Sequence, residues 1–352
     1  MNDRIQTSIS RVFKALPFTC SQLLAWRQSE RRCHIAATYH KLSATLSIQN
    51  LSIIEQVSLD GVASGYGIAR VAVSTFIARI TMSQAVRPAL QPNPFGGSDF
   101  ARSHSAYAAW LDGNLIYVLN PERRPTPLAE IVHDSFRTHI LNPEFPCVGG
   151  KAAVNNNTYR FGLYDEMNSA AATAGLAYDL WEYARERPTF ETEFATFVAS
   201  FAAPVISDES EWERLLWSQL QSLHDLDQLH HAWDQTVSSD PEDPAFSFSF
   251  SETAFFVVGL HPASSRAARR FGWATLVFNA HVQFERLREQ NQFKRMRQTI
   301  RTRELNSQGS LNPNLTDFGE RSEARQYSGR AVKDNWRCPF SARPAGTEDS
   351  RP

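Results

Sequence analysis

Residues 253–281 read TAFFVVGLHPASSRAARRFGWATLVFNAH. Two apolar runs, 254–260 and 273–278, have the length and the aromatic and β-branched content of strands. Between them stands a polar segment with His261, Ser264, Ser265, Arg266, Arg269 and Arg270. A histidine at the end of a buried strand is held by a rigid element while its ring can still face a cavity. The arginines that follow offer planar forks of donors for a carboxylate or for the acidic arms of a cofactor. The same residues also fit a plain connection between strands, its charges turned to water.

Working outward, helical and strand patterns alternate. After Pro127 the spacing of Leu128, Ile131, Val132, Phe136 and Ile140 predicts a helix that stops before Pro143. Residues 145–164 place Cys147 before the Gly149-Gly150 pair, then a short helix from Lys151, then a strand over 159–164. Glycines before a helix leave N–H groups for an anion, but GGK lacks the other residues of a phosphate loop and reads equally as a turn. Residues 169–187 predict a helix ended by Pro188, and 194–203 a strand. Ser210 with Glu213 reads as a capping box for the next helix. DPEDP at 240–244 turns the chain into strands over 246–250 and 255–260, and 282–304 predicts one long amphipathic helix with a basic outer face. The glycines and Pro313 between 309 and 329 suggest an ordered loop passing over a pocket. The expected class is α+β: a single domain over 88–340 with a mixed or antiparallel sheet flanked by helices. A poorly patterned extension over 1–87, set off by PALQPNPFGGS, and a tail over 341–352 stand outside it.

Composition excludes several classes. Apolar residues at 42% suffice for a sizeable core, and a net charge of −1 gives no global attraction to nucleic acid or membrane. The four cysteines, Cys20, Cys33, Cys147 and Cys338, fit no zinc pairing and no disulfide scaffold. No run is long enough to span a bilayer, and the start lacks the apolar stretch of a secretory signal, so a soluble cytoplasmic protein is expected.

Several separated landmarks match one family in order: FPCVGGKAA at Phe145, the block from Asp240 through HPASSRAARRF, FNAHVQFERLR at Phe278 and NWRCPF at Asn335. Over residues 129–340 the chain resembles the YqcI/YcgG family, and within it the haem-dependent N-oxygenases that hydroxylate guanidine or arginine nitrogen in guanitoxin and D-cycloserine biosynthesis. The resemblance implies haem b, with iron held by one histidine. His261 is the first choice, His281 the reserve, and Cys147 or Cys338 a thiolate alternative. Arg266, Arg269, Arg270 and Lys151 are the expected partners of the propionates. A guanidino or amino substrate calls for a carboxylate, for which Asp165, Glu166, Asp317 and Glu320 are the candidates, with Glu323 beside the last two. Dioxygen and electrons from a separate reductase complete the expectation, since no GxGxxG follows a predicted strand. Two rivals remain. A di-iron oxygenase would use Glu130 with His133 and Asp227 with His230, and a haem carrier or sensor would use the same ligand without oxygenation.

Overall fold

The computed structural model describes residues 92–97, 99–316 and 319–342. The extension over 1–87, the tail beyond 342 and Asp317 therefore lie outside the described residues. The 253–281 stretch forms the two strands expected of it, Thr253–Leu260 and Thr275–Ala280, paired antiparallel from Phe255↔Ala280 to Leu260↔Thr275.

In chain order the elements are α1 (Asp99–Ser103), β1 (Ala108–Leu111), β2 (Asn114–Tyr117), α2 (Pro127–Leu141), α3 (Val148–Asn155), β3 (Tyr159–Glu166), α4 (Ala170–Glu186), β4 (Thr196–Ala203) and α5 (Glu209–Asp227). They continue with β5 (Phe248–Phe250), β6 (Thr253–Leu260), β7 (Thr275–Ala280), α6 (His281–Glu289), α7 (Phe293–Gln308) and α8 (Ala324–Tyr327). The seven strands make one mixed sheet in the order β2-β1-β3-β4-β7-β6-β5. Only β3 and β4 run parallel, joined by α4 as the crossover a parallel pair requires. The chain is thus an α+β domain with a seven-stranded mixed sheet flanked by helices.

Side-chain alternation sorts the two faces of the sheet. Phe197, Phe278, Phe255 and Gly259 face α4 and α5: Tyr183 stacks on Phe197 at 5.7 Å, and a Cβ on Gly259 would lie 2.7 Å from Trp212. Phe161 and Phe256 face the other way, toward His133 of α2 and Phe284 of α6. Burying large aromatics on both faces supplies the main stabilisation, about 1.5–3 kcal/mol for each side chain taken fully from water.

Local chemistry sets the helix ends. Thr126 caps α2 through Ala129 N at 3.2 Å with Pro127 at its first position, and Ser169 caps α4 through Ala172 N at 3.1 Å. Two expectations are corrected. The α5 cap is Asp208, which accepts from Ser210 N and Glu211 N at 2.8 and 2.9 Å, so Ser210 and Glu213 form no capping box. The helix expected over 282–304 is two, broken where Asn291 takes φ +58. Asparagine tolerates that left-handed region better than most residues.

Candidate functional site

β6 ends at Leu260 and the next residue is His261. Its backbone is fixed from both sides: His261 N donates to Arg269 O at 3.0 Å and Phe271 N donates to His261 O at 3.3 Å. The ring therefore projects from a closed loop on a central strand, toward the first turns of α5. Trp212 stacks on it, with centroids 5.1 Å apart and planes inclined by 22°. Trp212 is held in turn by its Nε1, which donates to Ser328 O at 3.1 Å.

The His261 side chain is 0% exposed, and neither Nδ1 nor Nε2 has a hydrogen-bond partner. Burial pulls its pKa down to about 4, with Arg269 acting the same way and Glu209 and Asp208 opposing. The imidazole is neutral at pH 7 and keeps a lone pair on an unsolvated nitrogen. Leaving a buried polar group unmade costs about 1–3 kcal/mol, and few native groups are left so. Other buried side chains, among them Trp181 and Tyr183, share this lack of a partner, so the ring is a candidate for a ligand on the strength of its chemistry as well as its burial.

The arginines after it are engaged with the protein. Arg266 pairs with Glu304 and donates to Ser310 Oγ at 3.0 Å. Arg269 donates to the carbonyls of Gly259 and Tyr327 at 3.3 and 2.8 Å, and burial brings its pKa down to about 10. Arg270 is exposed and bonds only the Ser264 and Ser265 carbonyls. Lys151 lies on α3, its Nζ bonded to Pro143 O at 3.0 Å. Arg270 also lines an open groove of about 560 Å³ with Asp134 and His139 of α2 and with Phe271 and Trp273. This groove lies on the α2 face of the sheet, whereas the His261 ring lies on the α5 face.

Strand directions place the acids. β3, β4 and β6 run the same way, so Asp165 and Glu166, exposed at the end of β3, share one sheet edge with His261. Three strand intervals separate them, roughly 14 Å. Glu320 sits in an exposed turn. The carboxylate that meets the His261 loop is Glu209, which accepts from Ser265 N at 2.8 Å and Ser265 Oγ at 2.6 Å.

His281 opens α6 at the opposite end of β7, roughly 20 Å from His261 at the strand rise per residue. It is 3% exposed, with Nδ1 3.6 Å from Glu285. The two histidines therefore cannot hold one iron between them. The two described cysteines are free thiols: burial raises the pKa of Cys147 and pushes that of Cys338 up to about 12. His133 bonds Tyr159 Oη at 2.7 Å on the α2 face, while Asp227, on the α5 face, bonds His231 rather than His230. Among the described residues no three His, Cys, Asp or Glu converge to hold a metal.

Sequence reasoning missed the role of Glu323. It is 5% exposed and accepts from Ser247 Oγ and Tyr327 Oη, both at 2.6 Å. Burial pushes its pKa up to about 7, against those two hydrogen bonds and Arg288. A carboxyl raised in the folded state contributes stability below its unfolded value that is lost as pH rises through the folded one. Glu323→Gln cannot ionise, so its stability relative to the parent should rise by about 3 kcal/mol between pH 4 and pH 8.5. Urea unfolding at the two pH values reads this directly, and a constant difference would show that Glu323 does not titrate there.

A family model described as the YqcI/YcgG family matches residues 136–341. No curated protein matches the chain. No solved structure matches it either. Among the described residues no helix is long and apolar enough to cross a membrane.

Proposed function

We propose, because the chain belongs to the YqcI/YcgG family, that it is a haem-dependent N-oxygenase acting on a guanidino or amino compound. The observation that carries the reading is His261, a neutral buried imidazole with both ring nitrogens unbonded. A neutral imidazole is the form that would hold a haem iron. Trp212 stacks on the ring face, so a ring nitrogen free of protein hydrogen bonds would be the group to hold the haem iron. His281, at the opposite end of β7, would take no part in holding it.

The arginines fit unequally. Turning Arg266 away would strand Glu304, and turning Arg269 away would uncover two carbonyls. Arg270 is exposed and leaves no carboxylate behind, but it lines the α2-face groove and not the face that the His261 ring occupies. Haem b, when bound, supplies the activation of dioxygen. In the net reaction one oxygen atom enters an N–H bond, and the other leaves as water after taking up two electrons and two protons. The electrons come from a separate reductase. A carboxylate matches the planar donors of a guanidine in pairs. Among the described candidates, Asp165 and Glu166 share the His261 edge of the sheet.

Hemin titration tests the reading. The protein should develop a porphyrin band saturating at one equivalent. With reductant, oxygen and a panel of arginine, small guanidines and amines, it should yield a product heavier by one oxygen. A preparation that stays colourless would sink the proposal, and a band without product would leave a carrier or sensor.

A further inference from the structure

Helix α7 is built against its own stability. None of its sixteen residues is buried. Its half-buried stripe, including Phe293, Met296 and Ile300, rests among α3, α6 and the turn at Ala267–Arg269. It carries five cations, Lys294, Arg295, Arg297, Arg301 and Arg303, against one carboxylate, Glu304. Glu304 is turned inward to Arg266, so the outer surface, with Lys294, Arg295 and Arg303 exposed, is positive throughout.

The charges are also in the wrong places for a helix. The first turn holds no acid but does hold Lys294 and Arg295, and the last turn holds no base. Each cation at a helix N-terminus opposes the macrodipole. Lys151 of α3 adds a cation beside Arg303, near enough for Arg303 to help lower its pKa. In a chain whose net charge is −1, this is local segregation of charge. Exposed cations set against a helix's own dipole mark a candidate functional surface.

The C-terminal end of α7 is tied to the loop that follows His261. Arg266 pairs with Glu304, Ala267 N donates to Gln308 Oε1 at 2.7 Å, and Gln308 Nε2 donates to Ser265 O at 3.1 Å. A partner seated on α7 is thus one loop away from the imidazole.

We propose that the outer face of α7, with Lys151, is the docking surface for an acidic electron-donor protein. The partner's role rests on the oxygenase reading; the surface rests on the charges. The exposed face offers no aromatic side chain for stacking nucleic-acid bases. Its one large exposed apolar residue, Leu305, is too little to anchor a lipid surface. A helix of this length, about 24 Å, suits the small interfaces of transient redox encounters.

The test uses the full chain and a plant-type ferredoxin as the acidic probe, with association rates measured at low and at high salt. Lys294→Glu/Arg295→Glu/Arg303→Glu should associate at least about tenfold more slowly than the parent at low salt, the gap closing near molar salt. Its far-UV spectrum and hemin stoichiometry should be unchanged. Should the triple reversal fail to fold, the corresponding glutamine variant should show a smaller loss in the same direction. Equal rates for parent and variant, a difference indifferent to salt, or tighter binding to duplex RNA or to anionic vesicles would overturn the proposal. Association is read without turnover, so a colourless protein that still binds ferredoxin through α7 removes the oxygenase reading alone. A coloured protein that ignores ferredoxin removes the docking surface alone.

Discussion

His261→Phe should lose stoichiometric haem uptake while the apoprotein becomes no less stable. The two expectations come from one fact, that this imidazole is 0% exposed with neither nitrogen bonded. Phenylalanine keeps a flat ring for Trp212 to stack on and removes two unsatisfied polar atoms, worth about 1–3 kcal/mol in the folded state. His261→Ala would abolish the band as well, but it leaves a void and costs stability. The acid limb separates the variants further. A histidine held at about 4 when folded takes its proton at about 6.5 when unfolded, so its contribution is full above that value and is lost as pH falls toward 4. The parent should therefore lose about 3 kcal/mol more than His261→Phe between pH 7 and pH 4. Hemin titration and urea unfolding at both pH values check this. An unchanged porphyrin band in the variant would remove His261 from the ligand role.

The sheet's central strands were legible because they are long, apolar and bounded by clear stops. Residues 159–164, 194–203 and 254–260 all became strands, and Pro127, Pro143 and Pro188 fell at helix boundaries. The edge hairpin of β1 and β2 was not read, although Asp112-Gly113, with φ +50 and +81, is the residue pair such a turn prefers. Its strands are four residues each and too short for a periodicity to register. The β5–β6 hairpin hid its turn differently. Ser251 and Glu252 both hold positive φ where glycine or asparagine is usual, and Asp227 fixes that turn by accepting from Ser251 N at 2.9 Å. A long-range clamp of this kind leaves no local mark.

For the site, type and position were legible and partnership was not. His261 was singled out by its place at a strand end, but nothing local indicates that Arg266 answers Glu304, 38 residues on. Trp212 reads as one more core aromatic until Gly259, where a Cβ would fall 2.7 Å from its ring, shows why it can lie against this strand. Asp165 and Glu166 reach the correct sheet edge because β3, β4 and β6 run in one direction, a result of topology rather than of their own spacing.

The largest stability effect should come from Glu213→Ala. Glu213 is 8% exposed on α5 and gathers the C-terminal segment onto that helix. It accepts from Ser328 Oγ and Arg330 Nε, both at 3.1 Å, and from Trp336 Nε1 at 3.3 Å. Breaking a buried pair from one side costs about 3–5 kcal/mol. The Arg330 side chain is 28% exposed and can still reach water, so the lower end applies, about 3 kcal/mol. The loss should be local before it is global, because the side-chain hydrogen bonds of Ser328, Arg330 and Trp336 all end on this carboxylate. Ser328 O is also the acceptor for Trp212, so loosening the segment frees the tryptophan that packs His261. Cys338 reports the opening. The residue is half-buried, burial pushes its thiol up to about 12, and lifting the segment exposes it further. Peptide mass analysis should find Cys338 labelled faster in Glu213→Ala, by up to about a hundredfold, the factor that 3 kcal/mol sets on a local opening equilibrium. Cys147, capping α3 away from this segment, should keep the parent rate. Glu213→Gln retains two acceptor sites without the charge and should fall between. Equal labelling of Cys338 in parent and alanine variant would mean that the segment is held by its aromatic contacts with Trp217 and not by this carboxylate.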